Sequence, residues 1–146
     1  MIRGAFPRLQ AVAAQNGVEM GTELPLMGLD TRAAHEASKF VARTAAAREQ
    51  AFHHRIYRVH FVEGGNISER ETLLSAAREV GGIDVEGLAE SLATGADRQA
   101  VIDDENEARA RGITGVPAIF AAGRPISMGF QPAAQLLDIL DTLVPR

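Results

Sequence analysis

The sequence predicts a mostly helical α/β chain that closes with a β-hairpin and a final helix. Three observations carry that reading. Apolar residues recur at helical spacing over residues 5–17 and again from about 30 to 111, in segments punctuated by glycine. The period changes to that of strands only after Gly112, in the runs "VPAIFA" and "PISMGF". The composition, rich in alanine and only 5% aromatic, suits alanine-rich helices better than a sandwich of strands.

Residues 5–17, "AFPRLQAVAAQNG", place Leu9, Val12 and Ala13 at helical spacing, with Pro7 near the start and Asn16-Gly17 as the stop. The next segment, "VEMGTELPLMGLD", has no sustained period and reads as extended chain or loop, with a short strand around Val18 to Met20. Asp30 or Thr31 offers a side-chain oxygen to a first-turn amide and starts a helix that runs to about Ala47. A further helix, "AREQAFHHRIYRVHFVEG", carries Phe52, Ile56, Val59 and Val62 on one stripe and stops at Gly64-Gly65. Ser68-Glu69-Arg70-Glu71 has capping-box spacing and opens a helix with Leu73, Leu74 and Ala77 on its buried face, ending at Gly81-Gly82. Asp84 caps the next helix, which runs through Leu88 and Leu92 to Gly95. Residues 97–111 continue the helical pattern, with Val101 and Ile102 inside and a charged outer face.

Ala122-Gly123-Arg124 supplies a turn of suitable length and chemistry to join the two strand runs as an antiparallel hairpin. The last helix begins near Pro132, whose missing amide hydrogen has no helical partner in a first turn, and presents Leu136, Leu137, Leu140 and Leu143 as an apolar stripe. A two-stranded hairpin is marginal alone and both its edges invite other strands, so something is expected to complete this sheet.

Composition removes whole classes of function. At 146 residues the chain is expected to form one domain, 1–146. A net charge of −4 argues against a general surface for nucleic acid or anionic membrane. No apolar run is long enough to span a bilayer and no basic-then-apolar leader is visible, so the expected location is cytoplasmic, with no membrane partner. The absence of cysteine excludes disulfides, thiolate metal ligands, a cysteine nucleophile and a dithiol redox pair in this chain.

The remaining polar side chains suggest no catalytic set. His53, His54 and His60 share one helix, but neighbours face different ways and His53 and His60 are two turns apart, too far for the i, i+4 pair of a helical metal site. They read as surface or groove histidines, and His35 as a partly buried, hydrogen-bonded one. Asp103, Asp104, Glu105 and Glu107 read as a solvated face with Arg109 and Arg111 as counter-charge. Ser68 and Ser75 have no evident base, and Gly64-Gly65 lacks the context and lysine of a phosphate cradle. No catalytic residue, metal site or cofactor is expected.

One local oddity remains. Pro117 stands where "GITGVPAIF" enters a strand, although proline gives no amide hydrogen to a ladder. It marks either a plain strand start or a shaped loop.

The order of motifs bears on that choice. "ARARGITGVPAIFAAGRPISMGFQPAAQLLDIL" resembles the C-terminal part of the DsbA-like thioredoxin-fold family, particularly its cytoplasmic FrnE-like branch: a helix, a G-[VI]-x-G-V-P loop, a hairpin, a G-x-Q-[PS] turn and a final helix. Upstream, "HHRIYRVHFVEGGNISERETLLSAAREVGGID" is similar to the branch's helical insertion. The resemblance covers about 30 to 143 and implies a partial thioredoxin-like fold, with 30–111 as helical insertion and 112–146 as the C-terminal segment. It implies a cis proline at Pro117, and a substrate-binding loop Thr114, Gly115, Val116 and Pro117 in which the Val116 backbone pairs with an extended peptide or a thiol-containing ligand such as glutathione.

The departure lies in the chemistry. The family's C-x-x-C motif and first strands belong before the region that matches, and no residue here inherits the nucleophile that dithiol exchange requires. The expectation is a DsbA/FrnE-like thiol-disulfide oxidoreductase family member, truncated at its N-terminus and redox-inactive as this chain. One alternative is a non-redox peptide-binding or assembly module that forms a homodimer through its exposed sheet edge. Another is a glutathione-dependent relative of the kappa-class transferases and 2-hydroxychromene-2-carboxylate isomerases.

Overall fold

Glycine stops at Gly81 and Gly95 and a side-chain cap at Asp84 set several of the helical boundaries. A computed structural model describes residues 2–23, 25–121 and 123–143, without the side chains of residues 2–5 and 143. Its elements are α1 (Ile2–Gln15), α2 (Arg32–Thr44), a 3-10 turn (Ala46–Arg48), α3 (Glu49–Phe61), α4 (Arg70–Val80), α5 (Val85–Thr94), α6 (Arg98–Ala110), β1 (Ala118–Ala121), β2 (Arg124–Met128) and α7 (Ala133–Leu143). The chain divides into two compact units, Met1–Ile102 and Asp103–Arg146. The mostly helical α/β class predicted from periodicity is the class observed.

In the first unit α2 packs on α3 and α5, and α4 packs on the same two helices. Phe52, Leu73, Leu88 and Val41 are the largest side chains lost completely from solvent, and each such burial is worth about 1.5–3 kcal/mol. Ala34, Ala37, Ala76 and Ala77 lie in the same core, where a bare methyl lets helix backbones approach closely. The stripe read from the sequence on α3 is buried at Phe52, Ile56 and Val59, while Val62 falls just beyond the helix end.

Asp84 caps α5 as its spacing predicts, its carboxylate accepting the Gly87 amide at 3.0 Å. Other ends differ from expectation. α1 begins at Ile2, so Pro7 lies inside it and forgoes one helical hydrogen bond. Val18 to Met20 form no strand: no strand among the described residues lies beside them, and the segment is tied down by Gly21, whose amide donates to the Phe61 carbonyl at 2.8 Å. A Cβ on Gly21 would lie 2.7 Å from the Val62 carbonyl oxygen, so only glycine permits that approach. α2 ends at Thr44, where Ala45 turns to φ −145° and the 3-10 turn begins, so the helix does not reach Ala47. At its start the Asp30 carboxylate accepts the Arg32 amide at 2.9 Å, and Thr31 makes no side-chain cap.

The capping box also gives way to a different device. Ser68 turns to Asn66, whose side-chain oxygen accepts both the Ser68 amide at 3.0 Å and the Ser68 hydroxyl at 2.6 Å. Glu69 becomes the N-cap residue, without a side-chain bond, and Glu71 pairs with Arg78 at 2.6 Å. Asn66 wins because an Asx turn satisfies its oxygen two residues on, which removes Ser68 from the helix start.

The second unit holds the hairpin and α7. β1 and β2 pair antiparallel, with Ala118 opposite Met128, Ile119 opposite Ser127, Phe120 opposite Pro125 and Ala121 opposite Arg124, and with a bulge between Ile119 and Phe120. Arg124 is thus the first residue of β2 and not part of the turn, since it pairs with Ala121; Ala122 lies outside the described residues. α7 starts after Pro132, whose carbonyl accepts the Leu136 amide at 3.2 Å. On its apolar stripe Leu136 is half-buried, while Leu137 is 62% and Leu140 37% exposed; the Leu143 side chain lies outside the described residues.

One buried polar network braces the first unit. Asp97, 7% exposed, accepts two hydrogen bonds from Arg43, at 3.3 and 3.1 Å, and one from the Ser91 hydroxyl at 2.7 Å. Burial pushes its pKa up, but the Arg43 and Ser91 hydrogen bonds and the Arg43 charge outweigh burial and leave it below the usual carboxylate range. A depressed folded pKa contributes stability that is present above the unfolded value and lost as pH falls through the folded one. Stability is therefore expected to fall as pH drops through and below the ordinary carboxylate range. Asp97→Asn should flatten that acid limb in urea titrations and reduce stability by about 1–2 kcal/mol at neutral pH; an unchanged acid limb would contradict the assignment.

Candidate functional site

The end of α6 builds the loop that the sequence singled out. Gly112 takes φ 74°, a left-handed conformation suited to glycine, and the Ile113 amide returns to the Ala108 carbonyl at 3.0 Å. The chain then runs through Thr114, Gly115, Val116 and Pro117, all exposed, into β1. Val116 is 89% exposed. The Val116–Pro117 peptide bond is cis.

The loop is pinned at its far end. The Pro117 carbonyl accepts the Gly129 amide at 2.7 Å, which ties it to the chain leaving β2. Among the described residues the backbone groups of Thr114, Gly115 and Val116 take part in no hydrogen bond. β1 pairs with β2 along one side, and no strand among the described residues covers its other side. Met128 is 43% and Phe130 68% exposed on either side of Gly129, so apolar surface lies beside the pinned proline. Unpaired backbone next to an open edge and apolar side chains is the arrangement that strand addition by an extended peptide uses.

The other candidates fall elsewhere. His53 and His60 of α3 line a cleft of about 390 Å³ together with His35 of α2, Tyr57 and Phe61. Spacing along one helix could not show that His35 joins them, because the packing of α2 on α3 brings it there. His35 is exposed and not partly buried as expected, although its neighbours Ala34 and Glu36 are buried. His60 Nδ1 is buried without a hydrogen-bond partner, and the His60 ring meets Phe61 edge-on at 4.6 Å. Among the described residues no three His, Cys, Asp or Glu side chains are placed to hold a metal ion.

The acidic run on α6 is a charged surface. Glu105 pairs with Arg109 at 3.1 Å, and Glu107 with Arg111, both at i, i+4 spacing. Ser75 donates to Glu79 at 3.3 Å, and Glu79 is held by Arg55 at 2.6 Å, so neither is arranged as a nucleophile and base. No helix among the described residues is long and apolar enough to cross a membrane.

A helical region followed by a helix, a loop ending in proline, a hairpin and a last helix makes this a mostly helical α/β protein. The family model of the DSBA-like thioredoxin domain matches residues 2–141, and the chain belongs to that family. Comparison with curated proteins finds no match.

The free backbone of the loop has a direct signature in hydrogen exchange. The Gly129 amide, bonded to Pro117, should exchange slowly, and the Gly115 and Val116 amides at close to the rate of an unstructured chain. Comparable protection at all three would show that the loop is covered in solution.

Proposed function

We propose that this chain is a peptide-binding member of the DSBA-like family, of its FrnE-like branch, and redox-inactive in its own right. An extended or thiol-bearing segment is received on Thr114, Gly115, Val116 and Pro117. The observation that carries the reading is the unpaired, exposed backbone at Val116 beside the open side of β1. An incoming strand would take its main-chain hydrogen bonds there and rest side chains against Met128 and Phe130.

The parent chemistry of the family transfers electrons between thiols and disulfides, and each transfer begins with attack by a thiolate. With no cysteine in the sequence, neither attack nor a mixed disulfide can arise on this chain. Recognition is the part of the family's work that its residues still support. Insulin reduction with glutathione as reductant should run at the background rate in its presence. An extended apolar peptide should shift the amide resonances of residues 114–117, and Val116→Pro, which removes the amide hydrogen, should weaken binding about tenfold. Accelerated insulin reduction, or peptide shifts confined to other residues, would overturn the proposal.

The same open edge supports a second reading, a homodimer formed through β1. An uncovered edge strand is a template for a second strand, and a closed two-fold pairing removes it. Light scattering should then give twice the chain mass with rising concentration; a monomer throughout would exclude that assembly.

A further inference from the structure

Arg32, Arg70 and Arg98 are far apart in the sequence and meet in one cavity of about 350 Å³ in the first unit. Each is the first residue of its helix: Arg32 of α2, Arg70 of α4 and Arg98 of α6. A cation in the first turn faces the positive end of the helix dipole, an arrangement that is unfavourable by about 0.3–1 kcal/mol at an exposed site. Here the same unfavourable choice is made on three helices whose arginines line one space. The three guanidinium groups bring three positive charges to that space.

The acidic side chains at the cavity do not cancel that potential. Asp30 and Glu36 line it, two carboxylates against three guanidinium groups. Asp30 is engaged by the Arg32 amide at 2.9 Å. Glu36, 4% exposed, accepts from Arg98 Nε at 3.1 Å, which fixes the Arg98 side chain in the wall and leaves its two terminal nitrogens for other acceptors. Arg70 is fixed in a similar way, through one terminal nitrogen donating to the Leu92 carbonyl at 3.3 Å. Arg32 has no ion-pair partner among the described residues. The Ser68 hydroxyl donates to Asn66, so recognition of a ligand falls to the arginines.

We infer that this cavity is a binding site for a phosphate group. Guanidinium forks match phosphate and carboxylate oxygens, and the number and direction of the forks distinguish the two. Guanidinium groups from three helices line one open cleft, which suits a tetrahedral dianion able to accept several hydrogen bonds better than a planar carboxylate. The cavity is larger than a phosphate ion, so the group can carry a small organic substituent. The inference rests on the first unit alone and does not depend on the peptide-binding loop.

Isothermal calorimetry of the full chain with inorganic phosphate, at constant ionic strength kept with chloride, tests it. Saturable binding of one phosphate per chain is expected, with Kd on the order of 1 mM or tighter. Arg32→Gln removes a side chain without a structural partner and should weaken binding roughly tenfold or more, while leaving the circular dichroism unchanged. Arg32→Lys, which keeps the charge and loses the fork, should lie between the two. Phenyl phosphate bound more tightly than phosphate identifies a phosphate monoester as the ligand, and equal affinity identifies free phosphate. No saturable heat with either compound, or unchanged affinity in Arg32→Gln, overturns the site.

Discussion

The arrangement of the helical unit depends on one buried carboxylate. Asp97 joins Arg43 of α2 to Ser91 of α5, and its own carbonyl accepts the Val101 amide in the first turn of α6. Three helices are thereby referred to a single residue. A carboxylate taken out of water is stable only while its partners stay in place, and removing one of them is far more damaging than never having had the group. The apolar cluster around Phe52, Leu73 and Leu88 supplies the cohesion of the unit but fixes no unique position for the start of α6. The hydrogen bonds to Asp97 do, and that start places Arg98 over Glu36.

What could be read in advance followed from interactions that are local in the chain. The Gly95 stop of α5, the Asp84 cap and the change of period after Gly112 each rest on residues within a turn of one another, and each is observed. The loop around Pro117 was legible for the same reason, since a proline at a strand entrance is conspicuous without any partner. Ser68 was misread because two local devices compete over the same residues, and the Asx turn at Asn66 takes the hydroxyl that a capping box would use. The end of α2 was misread because Ala45 carries no stop signal of its own.

The features that escaped are those assembled across the fold. Arg32, Arg70 and Arg98 are separated by whole helices, and net charge conceals them because the chain is acidic in sum. His35 likewise reaches the cleft of His53 and His60 only through the packing of α2 on α3. In each case the missing information was which helix faces which, and that is carried by contacts between residues far apart in the chain. Amphipathic spacing identifies a buried face without identifying what lies opposite it.

The bulge in the hairpin makes its two outer sides chemically unequal. β2 contains the extra residue, Ile126, opposite the Ile119–Phe120 step, and also Pro125, so it is bent and lacks one amide. Bulges and prolines are the means by which natural sheets blunt an edge strand. β1 has neither within Ala118–Ala121. The hairpin therefore carries one blunted side, along β2, and one that neither a bulge nor a proline interrupts, along β1.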